Sequence, residues 1–231
     1  LINRRAVLGD AYRLFYRTPV HLVRGQGQYL WDADGTQYLD VYNNVASLGH
    51  CHPAVVAAVH DQMQTLNTHT RYLHERILDY SDAILATMPE QIDRVMYMCT
   101  GSEANDLAIR IARAHTGGTG LIVTREAYHG TSALTSGASP ASGGAQPVDA
   151  TTWLVPAPDA YRVDEPDTGA WFAARIQACI DDMASKGVKF AGFLADSIFS
   201  SDGVLPGKPG FLQAALQTVH SNGGVFIADE V

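Results

Sequence analysis

The spacing of apolar residues changes character near Arg94. Upstream, residues 20–39 alternate apolar and polar positions around Asp34-Gly35, which predicts an antiparallel hairpin or meander. Val55, Val56, Val59, Met63 and Leu66 then recur at helical spacing behind Pro53, a residue suited to a first helical turn. Downstream, short apolar runs at 95–99, 121–124, 153–156, 190–195 and 225–228 predict strands. Amphipathic stretches lie between some of them. Ala104, Leu107, Ala108, Ile111 and Ala112 share one helical face, as do Phe172, Ile176, Cys179, Ile180 and Met183, and also Phe211, Leu212, Ala215, Leu216 and Val219. Gly117-Gly118 and Gly223-Gly224 are the expected helix stops. Continuous apolar strands separated by helices predict an α/β fold, a mostly parallel sheet flanked by helices and preceded by the hairpin-and-helix segment. The expected division is 1–70 and 71–231. Residues 131–149, rich in Gly, Ala, Ser and Pro, read as one long loop.

Composition narrows the functional classes. A formal net charge of -8 with no run of Lys or Arg argues against a nucleic-acid partner. No apolar segment approaches the length of a membrane span, and the N-terminus does not read as a signal peptide. Cys51, Cys99 and Cys179 are far apart and form no CxxC pair, so a reducing, cytoplasmic setting is expected.

In a parallel α/β sheet, ligands sit beyond the C-terminal ends of the strands. Thr100-Gly101-Ser102-Glu103-Ala104-Asn105 follows the 95–99 run and opens a helix. Its hydroxyls, amides and positive helix end suit a phosphate. Thr100 with Glu103 is also a capping box, and the two readings are compatible. Tyr128-His129-Gly130 follows the second run. An aromatic there either stacks on a flat cofactor ring or is a partly buried surface tyrosine. Asp229 ends the last run, where a carboxylate needs a positive partner, whether a protonated pyridine nitrogen or an arginine, unless it caps a helix. Asp196 ends the 190–195 run in the same way, but nothing else supports a glycosidase-like acid pair. His50, Cys51 and His52 lack a fourth metal ligand and read as a turn before a helix, so no metal is expected. Nucleotide loops fail for want of a lysine or of a third glycine.

In this order on successive strand ends, the signals resemble the fold-type I pyridoxal-phosphate enzymes, and the class III aminotransferases in particular. The matching stretches are Trp31-Asp32-Ala33-Asp34-Gly35, Tyr38-Leu39-Asp40, Gly49-His50-Cys51-His52-Pro53, Thr100 to Asn105, Tyr128-His129-Gly130 and Ala228-Asp229-Glu230-Val231. Tyr42-Asn43-Asn44-Val45 and Arg71-Tyr72-Leu73-His74-Glu75 resemble the alanine–glyoxylate aminotransferase 2-like branch, which includes phospholyases.

The resemblance implies that Thr100, Gly101 and Ser102 hold the phosphate of pyridoxal 5'-phosphate. It implies that Tyr128 stacks on the ring with His129 beside it, Asp229 pairs with the ring nitrogen, and Val231 packs on the other face. It also implies that 1–70 serves the small domain and dimer contacts, that 71–231 begins the large cofactor-binding domain, and that the protein is a homodimer. The expected reaction passes an amino group from an amino acid or amine to an oxo acid. The alternatives are phospho-elimination from a phosphorylated amine such as phosphoethanolamine, or a non-catalytic fragment. The family's Schiff-base lysine lies downstream of Val231, and Lys186, Lys189 and Lys208 do not match it. The isolated chain is therefore expected to be truncated and inactive. One departure stands out: Asp196-Ser197-Ile198-Phe199 replaces the Glu-Pro-Val-Gln frequent in the family.

Overall fold

The computed structural model describes Val7, Leu14 and residues 16–42, 46–142 and 147–230. The chain forms two compact units, Leu1–Pro89 and Glu90–Val231. The division expected at 70/71 thus falls inside the first unit, and residues 71–89 go with the meander rather than with the large sheet.

In the first unit, β1 (Leu22–Gln26), β2 (Tyr29–Asp32) and β3 (Gln37–Leu39) make the expected antiparallel meander. The turn after β2 is built by Asp32. Its Oδ1 accepts the amides of Asp34 and Thr36 at 3.0 and 2.8 Å, and its Oδ2 accepts the Tyr38 hydroxyl at 2.7 Å. Those bonds, led by Tyr38, hold the Asp32 carboxyl below its ordinary pKa. The Arg24 guanidinium lies 3.5 Å above the Trp31 ring. α1 (Pro53–Thr65) starts with proline, as the sequence predicts, and α2 (Glu75–Leu85) starts after His74, whose ring accepts the Arg76 amide. Neither helix contains a buried residue.

The second unit holds α3 (Gly101–Thr116), β4 (Gly120–Thr124), α4 (Ala133–Gly137), a 3₁₀ turn (Pro140–Ser142), β5 (Thr152–Val155), α5 (Thr168–Ser185), β6 (Phe190–Ala195), α6 (Gln213–Ser221) and β7 (Val225–Ala228). Its four strands are all parallel, in the order β5-β4-β6-β7. β4 and β6 are buried along their whole length, which is why they read as unbroken apolar runs rather than alternating ones. α5 buries Phe172, Ile176, Ile180 and Met183 on the face its spacing predicts. Phe172 meets Phe193 and Phe199 edge-on, each with ring centroids 5.8 Å apart. Trp153 on the edge strand β5 donates its indole N–H to Asp182 on α5 at 2.6 Å.

Glycines end α3 as expected. Gly117 takes φ 66, and Gly118 has no room for a side chain, since a Cβ would meet the Phe190 carbonyl oxygen at 2.3 Å.

Three sequence expectations change. The run at 95–99 forms no strand. An extended segment becomes a strand only beside a partner that takes its backbone bonds. No named strand of the described residues pairs with this one, and Met96 and Met98 are exposed. The buried face of α3 is Asn105, Ile109 and Ala112, rotated from the one predicted, with Ile111 half exposed. Residues 131–149 do not form one open loop. Among the described ones, α4 and the 3₁₀ turn fold on buried Thr135 and Ser139 hydroxyls.

Phe172 has no solvent exposure and anchors the aromatic cluster. Phe172→Ala is expected to lower folding stability by about 3–5 kcal/mol. Urea denaturation with an unchanged slope measures it.

Candidate functional site

The C-terminal ends of β4, β6 and β7 bring distant residues together. β6 and β7 pair through Ala195 and Ala228, and the Asp229 amide bonds the Ala195 carbonyl at 3.0 Å. That places the Asp229 side chain, 9% exposed, at the top of the sheet. Its Oδ2 accepts two bonds, from Asn105 Nδ2 at 2.9 Å and, with the proton on Nδ1, from the His129 ring at 2.8 Å. Asn105 also donates to the His129 carbonyl at 3.1 Å, so one side chain fixes both partners. The Ser139 hydroxyl oxygen accepts the His129 amide at 2.8 Å. His129 is 3% exposed, yet its Nε2 meets no hydrogen-bond partner among the described residues. A buried nitrogen of that kind marks a place where something else belongs.

The other end of the site is the start of α3. Thr100 caps the helix, accepting the Glu103 amide at 3.1 Å, while Glu103 Oε2 reaches back to the Cys99 amide at 3.0 Å. The Thr100 half of the capping box therefore forms and uses the amide of Glu103, while the Glu103 carboxylate reaches one residue further back than the box requires. The Gly101 and Ser102 amides belong to the first turn, whose N–H groups have no intrahelical acceptor. The space beside Gly101 is open, since a Cβ there would meet nothing within 4 Å. Ser102 Oγ accepts the Thr131 amide at 3.0 Å, which leaves its hydroxyl hydrogen free to donate elsewhere.

The two ends are joined by a close contact. Gly130, at φ 128, packs so tightly on Ser102 that a Cβ would fall 2.4 Å from its Oγ and 2.8 Å from its Cα. Ser132 adds a bond from its hydroxyl to Asp106 on α3 at 3.0 Å. Thr100, Gly101, Ser102, Tyr128, His129 and Asp229 all lie in the second unit, with Tyr128 half exposed on the loop beside His129. Val231 lies outside the described residues.

Asp196 does not join Asp229. Its carboxylate closes a tight turn, accepting the amides of Ile198 and Ser200 at 2.9 and 2.8 Å and the Ser200 hydroxyl. Burial works against its charge, but those donors carry its pKa below the ordinary range. Phe199 enters the core, 1% exposed. Further along, Asp202 accepts the Thr124 hydroxyl at 2.7 Å and the Glu126 amide at 3.3 Å. Burial raises its pKa in spite of them.

His50 is occupied by Asp40, whose Oδ2 lies 2.7 Å from its Nε2, and its backbone pairs with Gly27. A Cβ on Gly25 would meet His50 Cβ at 2.8 Å. The Gly49-His50-Cys51-His52-Pro53 turn is thereby locked to the meander. Among the described residues no three His, Cys, Asp or Glu side chains converge as metal ligands.

Sequence reasoning missed Asn105, Ser139, Thr124 and Asp202. Asn105 had a usable signal, because it shares a helical stripe with Ile109 and Ala112 at i+4 and i+7, where an amide needs a reason to be buried. Asp202 had none, being distant in sequence from Thr124.

The chain matches the family described as aminotransferase class III over residues 15–231. It is 40% identical over 240 residues to the alanine–glyoxylate aminotransferase 2-like protein of Drosophila melanogaster, covering 99% of this chain and 48% of that protein. It is 32% identical over 249 residues to ethanolamine-phosphate phospho-lyase homolog 1 of Caenorhabditis elegans, covering 100% and 53%. Among solved structures, a phospholyase from Arthrobacter in complex with phosphoethanolamine superimposes with a TM-score of 0.91 at 36% identity, over 98% of this chain and 55% of that one. A PMP-bound aminotransferase from Vibrio fluvialis shares the fold, with a TM-score of 0.76 at 22% identity over 95% and 54%. The chain spans about half the length of the curated relatives it matches. With nearly its whole length matched to one family, the chain belongs to the class III aminotransferases.

Proposed function

We propose that this chain supplies the phosphate-binding and ring-nitrogen-binding parts of a pyridoxal-phosphate-dependent aminotransferase, a family that works with that cofactor. The observation that carries the reading is buried Asp229, held by Asn105 and His129 at the end of β7. The residues fit the group. The helix start is open beside Gly101, Ser102 has a hydroxyl hydrogen to give, and His129 Nε2 lacks a partner.

Bound here, pyridoxal phosphate would supply an electron sink for breaking a bond at the amino-bearing carbon of a substrate. The chain's own residues do the rest. Gly101 and Ser102 donate to the phosphate at the positive end of α3, and Thr100 keeps that end in shape. Asp229 holds a proton at the ring nitrogen, because a buried carboxylate favours an adjacent positive charge. Asn105 and His129 fix the Asp229 oxygen that faces them. Tyr128 would lie against the ring, and the family resemblance assigns Val231 to its other face. Lys186 sits on Asp182 near the end of α5, and Lys189 precedes β6 at the end of the sheet remote from Asp229. Lys208 lies before α6, where its carbonyl accepts the Phe211 amide. The Schiff-base lysine of this reading comes from another segment.

The proposed reaction is transfer of an amino group from an amino acid or amine to an oxo acid, in a homodimer in a reducing, cytoplasmic setting. Phospho-elimination is the second reading, favoured by the high structural similarity to the Arthrobacter phospholyase. A shared fold hosts more than one reaction, so the substrate assay decides.

Two outcomes are expected in the full-length protein. Asp229→Asn lowers kcat about a hundredfold, the equivalent of two pKa units of ring protonation. Circular dichroism stays unchanged, and near-normal turnover would reduce Asp229 to a structural role. An amino donor added alone shifts the cofactor absorbance, while phosphoethanolamine alone releases no phosphate. Steady phosphate release without an oxo acid, and no absorbance change across a panel of donors, would replace transamination with phospho-elimination.

A further inference from the structure

Tyr128 and His129 lie on a loop, and a loop delivers side chains accurately only if it is tied down. Its second half is tied by the site itself. His129 is bonded through its amide to Ser139 and through its carbonyl to Asn105, and Gly130 rests on Ser102. Its first half is tied through backbone bonds of Arg125 to Val155 and of Ala127 to Thr124 and Ala141, and through the side chain of a residue from a different connection. Asp202, between β6 and α6, accepts the Thr124 hydroxyl at 2.7 Å and the Glu126 amide at 3.3 Å. Thr124 is the last residue of β4 and is 2% exposed.

The segment presenting Asp202 is itself held firmly. Asp196 pins its start through Ile198 and Ser200. Phe199, in the left-handed region at φ 52, is buried against Phe172 and Phe211. Val204 is also left-handed, at φ 62, and its amide bonds the Phe199 carbonyl at 3.0 Å. Two bulky residues in that region cost energy and persist only where the surroundings over-determine them.

We propose that Asp202 is a positioning residue for the cofactor loop, its carboxylate fixing residues 124–126 so that Tyr128 and His129 meet the ring. The assignment rests on the pyridoxal-phosphate reading. It goes beyond that reading by giving a role to a residue just past the Asp196–Phe199 stretch where the chain departs from the family pattern.

The test uses the full-length protein and three variants: Asp202→Ala, Thr124→Val, which removes the hydroxyl at nearly constant shape, and Thr124→Ser, which keeps it. Hydrogen exchange is read on the cofactor-free protein. Asp202→Ala and Thr124→Val are expected to speed amide exchange in residues 125–130 about tenfold while the strand amides of β4 and β6 stay protected. The dissociation constant for pyridoxal phosphate rises, and kcat falls more than KM for the amino substrate changes. Thr124→Ser follows the wild type in all three measurements. The double variant Asp202→Ala/Thr124→Val is no worse than the more affected single one, because both remove the same bond.

Unchanged exchange in 125–130 overturns the tie. Faster exchange with unchanged cofactor affinity and kcat overturns the positioning role. If Asp202→Ala does not fold, the Thr124→Val and Thr124→Ser pair decides alone. Wild-type protein that binds no pyridoxal phosphate sinks the cofactor reading and the positioning role together, while the exchange comparison still reports whether the tie exists.

Discussion

Asp229 sits where water cannot reach it freely, and a carboxylate so placed must be compensated by donors or by a positive charge. Much of the second unit's arrangement at the top of the sheet follows from meeting that demand. Asn105 has to lie on the inner face of α3, which sets the rotation of the helix. His129 has to turn its Nδ1 edge inward, which sets the course of the loop after β4. Ser139 has to stand behind the His129 amide, which requires the chain to fold back through α4 and the 3₁₀ turn. Two donors satisfy one oxygen of the carboxylate, and neither of them takes the other.

The sequence exposed the parts of this arrangement that repeat locally. Strands β4 and β6 were legible because burial on both faces leaves a run of apolar residues, and β7, only partly buried, carries an apolar run of its own. α5 was legible because its large buried side chains recur at helical spacing. The capping signature at Thr100 and the glycine stop at Gly117 also belong to single stretches of chain. The strand expected at 95–99 failed because an apolar run specifies only half of a ladder, and the other half must come from elsewhere. The rotation of α3 failed because the polar residue Asn105 occupies a core position, which counting apolar residues cannot reveal. The Asp202–Thr124 bond joins two connections of the sheet, and only the folded geometry makes it visible.

Chemistry and fold are legible to different depths at the site. In the proposed reading, the helix start, the loop aromatic and the strand-end carboxylate would together suit a ligand with an anion at one end and a protonated ring nitrogen at the other. They say little about the amino substrate, because none of these groups distinguishes one amine from another. In the stretch that departs from the family pattern, Asp196 is consumed by its own turn and Phe199 by the core. Residues used internally in this way are not free to recognise a substrate.

The contact between Gly130 and Ser102 makes the aromatic loop and the helix start a matched pair. Neither can be transplanted singly into a relative whose facing residue differs in bulk. A chimera built by swapping segments within the family would need its crossover points before the helix and after the loop, so that both surfaces of this contact come from one parent.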